Sequence, residues 1–374
     1  MKKIVFVTGT RADYGKIKSV IQQLKQDQNF KIYIYVTGMH LLEKYGSTYQ
    51  EIEKDGYDDI FLSKPIDQKL TMDEILAKNV LQFSKYVKKI KPDMIFVHGD
   101  RVEALAGAEV GALNNIYVSH IEGGEISGTI DESIRHAISK LANFHFVSNE
   151  DSKQNLIQMG EDKDHIFVVG SPDIDIMLRN NFDINEIKKQ YNIPFSNYAI
   201  FIYHPVISEV SKLGQNIKKV VDAIIDSNKN YIIIYPNNDM GSDVIFHEYE
   251  RMKDNQKISM FPSIRFEYFL TLLKNADFVI GNSSLGIRET GVYGIPTINI
   301  GTRQNGRYNL KFQKNLCCVN ENYDDIKSAI NNIDNYHYKS EMFGDGNSDK
   351  KIYEILKDSD LWNTNIQKKF ISIW

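Results

Sequence analysis

Three short stretches gather carboxylates, histidines and glycines: His98-Gly99-Asp100-Arg101, His120-Ile121-Glu122-Gly123-Gly124-Glu125, and Gly128-Thr129-Ile130-Asp131-Glu132. The first two end the apolar runs over 94–97 and 117–120, which read as strands, and the third opens a helix. Asp100, Glu122 and Asp131 are therefore expected to converge on one sheet edge. Carboxylates placed together in this way can take and return protons, and ordinary turn acids are seldom flanked by so much glycine and histidine. His98-x-Asp100 and His120-x-Glu122 also offer ligand types that suit a divalent metal, so a metal-dependent hydrolase competes with a metal-free acid-base site. The spacing matches no zinc pattern. Strand alternation would point His98 and Asp100 to one side, but the strand ends between them.

Two further stretches suit an anion. Thr8-Gly9-Thr10-Arg11-Ala12-Asp13-Tyr14-Gly15-Lys16 leads from a first strand into a helix, where Gly9 permits a tight turn and Arg11 and Lys16 add positive charge. It is not a GxGxxG fingerprint, and a plain strand-to-helix turn explains it as well. Gly281-Asn282-Ser283-Ser284 follows a strand and opens a helix carrying Arg288 and Glu289, with Arg303 and Arg307 downstream. A helix terminus contributes only about 0.3–1 kcal/mol towards an anion, so a diphosphate would need those additional groups. Ser283 and Ser284 can equally be a simple N-cap. Glu289, about two turns into the expected helix, could accept from two ribose hydroxyls or be solvated. His204 follows the strand over 198–203, and Asn237 follows the one over 231–235. The first is a cleft imidazole or a loop histidine; the second bonds ligand hydroxyls or forms an Asx turn. His40, His136 and His145 receive no role.

Elements must position these groups, and short Val, Ile, Phe and Tyr runs alternate with amphipathic segments throughout, the pattern of βαβ units in an α/β protein. Strands are expected over 3–7, 31–36, 94–97, 117–120, 144–147 and 166–169, then over 198–203, 231–235, 258–260, 278–280, 297–300 and 316–319. The turn residues Gly170-Ser171-Pro172-Asp173 divide the two sets, giving Rossmann-like domains over 1–172 and 173–374. A last helix near 361–370 is placed where it can pack back on the first domain. Ligands of such sheets bind beyond the carboxyl ends of the strands, where nearly all the unusual residues lie.

The 374 residues, 42% hydrophobic and 25% charged, suit two folded domains. A net charge of −4 supplies no basic field for nucleic acid. Cys317 and Cys318, the only cysteines, are adjacent and make neither a disulfide framework nor a zinc site, as befits a reducing cytoplasm. The apolar start at Ile4 to Val7 is interrupted at once by Thr8-Gly9-Thr10-Arg11, so it reads as a strand and not a leader. No run approaches the roughly 20 apolar residues that cross a bilayer.

Taken together and in order, these motifs, with Gly301-Thr302-Arg303-Gln304-Asn305-Gly306-Arg307, resemble the hydrolysing UDP-N-acetylglucosamine 2-epimerases of sialic-acid biosynthesis almost end to end. The Gly-Gly-Glu run and the residues after the first His-Gly-Asp differ from the non-hydrolysing branch. The resemblance implies two Rossmann-like domains in a GT-B-type arrangement with an interdomain cleft, without a kinase domain like that of the animal bifunctional enzyme. It implies catalytic roles for Asp100, Glu122, Asp131 and His204. UDP contacts are implied for Arg11, Ser283, Ser284, Glu289 and Arg303, and substrate contacts for Arg101 and Asn237, with Lys16 and Arg307 as further candidates. The reaction implied converts UDP-N-acetylglucosamine and water to N-acetylmannosamine and UDP without a cofactor or metal, in a cytoplasmic homodimer or tetramer of dimers. Related enzymes act on UDP- or GDP-linked diacetamido-bacillosamine in legionaminic-acid pathways, and a GT-B glycosyltransferase or a non-catalytic sugar-nucleotide sensor shares parts of the pattern.

Overall fold

The computed structural model describes the 374 residues apart from 44–45, 68–69, 128–129, 207–208, 237–240 and 373–374. The chain divides into two compact units, Met1–Leu178 with Phe343–Trp374, and Arg179–Met342. The division falls six residues beyond the expected 172, and the C-terminal segment belongs with the first unit.

In the first unit seven strands pair in parallel: β1 (Lys2–Thr8), β2 (Phe30–Val36), β3 (Ile60–Leu62), β4 (Met94–His98), β5 (Tyr117–Ile121), β6 (Phe144–Val147) and β7 (Ile166–Val168). Their order is β3-β2-β1-β4-β5-β6-β7. Strand β3 was not expected; three residues with Phe61 and Leu62 exposed carry too little apolar pattern to announce it. Side-chain alternation serves two layers. Ile4, Phe6, Met94 and Phe96 pack against Ile17, Val20, Ile21 and Leu24 of the helix Arg11–Lys25. Val5, Val7, Ile95 and Val97 meet Phe83 and Val87 of Met72–Ile90, Ala104 and Ala108 of Val102–Leu113, and Ile134 and Ile138 of Ile130–Leu141. A sheet covered on both faces needs apolar residues at successive positions, which is why its strands read as continuous runs.

The C-terminal segment completes the first layer. Asp175 accepts from the amides of Ser348 and Asp349, both at 2.9 Å, and so caps the helix Ser348–Lys357, which sends Ile352 and Leu356 into the core. The helix expected near 361–370 is not there. After one tight turn at Leu361–Asn363 the described chain continues without regular secondary structure, and side chains of the sheet bond its carbonyls. Tyr117 Oη donates to Trp362 O at 3.1 Å and Asn143 Nδ2 to Ile366 O at 2.9 Å.

The second unit holds six parallel strands, β8 (Ala199–Ile202), β9 (Tyr231–Ile234), β10 (Ile258–Phe261), β11 (Val279–Gly281), β12 (Thr297–Ile300) and β13 (Leu316–Val319), in the order β10-β9-β8-β11-β12-β13. All six were expected from the sequence. In both units the order reverses beside the first strand, at β1/β4 and at β8/β11, the position where open α/β sheets bind ligands.

Gly281 ends β11 at φ +135°, and a Cβ there would stand 1.9 Å from Ile202 O. Gly306, at φ +81°, has nothing within 4 Å of such a Cβ. Gly281→Ala should therefore destabilise the second unit by about 3 kcal/mol or more, and Gly306→Ala by only about 1 kcal/mol. Urea unfolding of the two variants checks the difference.

Candidate active site

At the carboxyl end of the first sheet, β4 and β5 pair with His98 opposite Ile121, so the next residue, Glu122, emerges beside His98. Glu122 is buried and takes φ +60°, a left-handed conformation that costs a residue with a side chain about 1–3 kcal/mol. Its amide is held by Phe146 O at 2.9 Å. Its carboxylate meets three donors: His98 Nε2 at 3.1 Å from Oε2, Lys16 Nζ at 3.3 Å from Oε1, and the Ser171 hydroxyl. Lys16 also pairs with the buried Asp173 at 2.7 Å.

His98 is the centre of this cluster. Its Nδ1 faces Asp13 Oδ1 at 3.1 Å, and Asp13 accepts in turn from the Gly9 amide at 2.8 Å. Burial alone would lower the imidazole's pKa, but hydrogen bonds to Asp13 and Glu122 and their negative charge outweigh it and raise the pKa to about 9. His98 is thus an imidazolium donating from both nitrogens. Burial works against the charge of Asp13 also, yet the bond and charge of His98 hold that carboxyl below its usual range. With both nitrogens of His98 on carboxylates, neither is left for the metal ligation weighed above.

His120 is different. Its Nε2 donates to Gly99 O at 2.8 Å and its Nδ1 takes the Ser139 hydroxyl at 3.0 Å; burial pushes its pKa down to about 3. It is a neutral brace for the turn before Asp100. His40 likewise bridges Thr8 and Thr48, and His145 pairs with buried Glu161 at 3.1 Å, both packing roles.

Asp100 pairs with the buried Arg135, whose other nitrogen donates to Glu125 O at 2.8 Å. Asp131 stands exposed in the first turn of the same helix, one turn ahead of Arg135. Arg11 pairs with Glu51 at 3.1 Å, and Arg101 with the buried Glu103 at 3.2 Å. Sequence reasoning overlooked Asp13, Arg135, Ser171 and Asp173. Asp13 lay inside a quoted motif, and an arginine on the apolar face of Ile130–Leu141 was the signal for Arg135.

In the second unit the buried Asn282 joins the two loops beside the switch point. It accepts from the His204 amide at 2.7 Å and donates to His204 O at 2.8 Å, while its own carbonyl takes Arg303 Nη1 at 3.1 Å and Gln304 Nε2 at 2.9 Å. His204 is neutral, its pKa pushed to about 4 first by burial and then by the charge of Arg303. Ser283 Oγ accepts from the Leu285 amide at 3.4 Å, the N-cap alternative, while Ser284 makes no side-chain cap bond. The helix expected around Glu289 is two single turns, Leu285–Arg288 and Thr290–Tyr293, and half-buried Glu289 is the hinge between them. Arg307 is half-buried, its amide on Gln304 O at 3.1 Å. Asn237 lies outside the described residues.

Known proteins carry the same plan. Residues 22–357 match the family described as UDP-N-acetylglucosamine 2-epimerase. A UDP-N-acetylglucosamine 2-epimerase of Neisseria meningitidis serogroup B is 41% identical over 377 aligned positions, covering 100% of both chains. A UDP-N,N'-diacetylbacillosamine 2-epimerase (hydrolyzing) of Legionella pneumophila is 35% identical over 98% of this chain and 99% of its own. A crystal structure of a Neisseria meningitidis UDP-GlcNAc 2-epimerase bound to UDP-GlcNAc superposes with a TM-score of 0.80 at 20% identity, covering 95% of this chain and 99% of that one. The fold is accordingly two parallel-sheet α/β domains of the GT-B-like kind. The chain belongs to the UDP-N-acetylglucosamine 2-epimerase family. Among the described residues no helix is long and apolar enough to cross a membrane.

The charge on His98 links this site to stability. Its folded pKa of about 9 exceeds the ordinary 6.5, so its contribution is complete below about pH 6.5 and is lost as pH rises through 9. The urea midpoint should fall over that window in the native protein and stay flatter in His98→Asn.

Proposed function

We propose that the protein is a hydrolysing 2-epimerase that converts UDP-N-acetylglucosamine and water to N-acetylmannosamine and UDP, the first step towards sialic acid. One observation carries the reading: a buried carboxylate, Glu122, held in a strained backbone conformation among three hydrogen-bond donors at the strand ends of a member of this family. The hydrolysing branch is supported by the His98-Gly99-Asp100-Arg101 and Glu122-Gly123-Gly124-Glu125 motifs and by the relationship to the Legionella enzyme.

Carbon 2 of the sugar has no adjacent carbonyl to acidify its proton, so a base must act as the anomeric bond to UDP breaks. Asp100 or Asp131 takes that proton, the C–H electrons form the C1–C2 double bond, and the C1–O pair leaves with UDP. The 2-acetamidoglucal then regains a proton at carbon 2 from the opposite face, with Glu122 as the acid, while water adds at carbon 1. Charge growing on the diphosphate is met by Arg11, Ser283, Ser284, Arg303 and Arg307, and Glu289 accepts from the ribose. His204, uncharged at neutral pH, serves as a hydrogen-bonding group to the substrate. Lys16 fixes Glu122, and Arg101 and Asn237 touch the sugar nucleotide.

A diacetamido-bacillosamine nucleotide is the second reading, favoured by the 35% identity to the Legionella enzyme. Incubation with UDP-N-acetylglucosamine and with the UDP- and GDP-linked diacetamido sugars, followed by identification of the free sugar, chooses between them. A glycosylated acceptor would mean a transferase, and an unchanged nucleotide sugar a sensor. In deuterium oxide the released sugar should carry deuterium at carbon 2; retention of the original hydrogen would exclude elimination. Asp100→Asn, Glu122→Gln and Asp131→Asn should each lower turnover by roughly 10²–10⁴-fold while UDP still binds in calorimetry. Near-normal rates in all three would remove the assignment.

A further inference from the structure

Inversion at carbon 2 sets a condition on Glu122. One group strips the proton from one face, so the group on the other face must already hold a proton when the unsaturated intermediate forms. Glu122 accepts from His98, Lys16 and Ser171, the acceptor role of an ionised carboxylate that holds no proton of its own. A second carrier must load it.

The surroundings of Glu122 contain such a carrier. His98 Nε2 stands 3.1 Å from Glu122 Oε2, and His98 Nδ1 stands 3.1 Å from Asp13 Oδ1, which the Gly9 amide fixes at 2.8 Å. Both ends of the imidazole are thereby aligned in a site where the three side chains are about nine-tenths buried. We propose that His98, clamped by Asp13, is the positioning residue and proton reserve of Glu122, so that the pair supplies the proton that inverts carbon 2. This rests on the epimerase reading above.

The step balances. The His98 Nε2–H bond breaks as an O–H bond forms on Glu122, leaving a neutral imidazole whose Nδ1–H still faces Asp13. That O–H then breaks as the new C–H bond forms. Water bonds to carbon 1, and the single proton it sheds returns through Glu122 to His98 Nε2, leaving Glu122 ionised again; the proton taken by the base leaves to solvent with the net acid of the reaction. The charged and titratable groups facing His98 are Asp13 on the first helix and Glu122 after β5, with Lys16 joining Glu122 to Asp173, and the buried His120 feels the charge of His98. The two carboxylates in direct contact keep His98 charged through neutral pH.

Three measurements on the full chain test this. In ¹⁵N-histidine spectra at pH 8, His98, identified by its loss in His98→Gln, should show two protonated ring nitrogens; a neutral ring overturns the proposal. The kcat of the native enzyme should fall on the alkaline side near pH 9, and Asp13→Asn, which removes a stabilising charge, should move that limb down by about 1–2 pH units. His98→Gln, which bonds but carries no proton, should lower kcat by about 10²–10⁴-fold with KM changed only a few-fold. Profiles parallel to the native one in both variants overturn the relay and leave the epimerase standing. A native enzyme that releases no sugar from any of the nucleotide sugars defeats the epimerase reading itself, and proton delivery to carbon 2 with it.

Discussion

Three carboxylates, Asp13, Glu122 and Asp173, share the end of the first sheet with two cations, Lys16 and His98, and little water reaches any of them. Buried charge is tolerated only when it is paired and hydrogen-bonded, and removing one partner of such a pair typically costs about 3–5 kcal/mol. Each member is therefore bound to the positions of the others. They come from the helix Arg11–Lys25 after β1, the end of β4, the residue after β5 and the first turn of the helix Pro172–Arg179 after β7, so the network ties four separate crossings of the chain into one geometry. The left-handed backbone of Glu122 is the local cost, and the register of β5 on β4 and β6 holds it in place.

In the second unit a buried amide side chain joins the loops beside the switch point. Asn282 uses its amide on both backbone groups of His204 and gives its carbonyl to Arg303 and Gln304. These hydrogen bonds fix the loop after β8 to the loops after β11 and β12. A buried, neutral His204 beside Arg303 is the consequence, because burial and a neighbouring cation both disfavour the imidazolium.

Much of this was legible before any coordinates. Of the thirteen strands among the described residues, twelve were expected from runs rich in apolar residues, as sheets covered on both faces require. What escaped notice did so for identifiable reasons. Strand β3 is three residues at a sheet edge, half exposed. The segment after Leu361 was read as a helix, but Tyr117 and Asn143 take the carbonyls of Trp362 and Ile366, and the segment is irregular. Glu289 lies in a run that reads as one helix; the buried side chain of Thr290 bonds back to Gly286 O at 2.7 Å and to Thr297, and the helix breaks there into two turns.

The amino-acid sequence alone determined the class of fold, the strand ends as the place of chemistry and the carboxylates Asp100, Glu122 and Asp131 as candidates, because hydrophobic period and motif order are local properties written along the chain. Only the tertiary structure decided which partner each acid has: His98 and Lys16 for Glu122, Arg135 for Asp100, Asp13 as the anchor of His98. Those pairs are separated by 24 to 106 residues in the chain. Their ionisation depends on distance and burial, and both are set only when the strands close side by side.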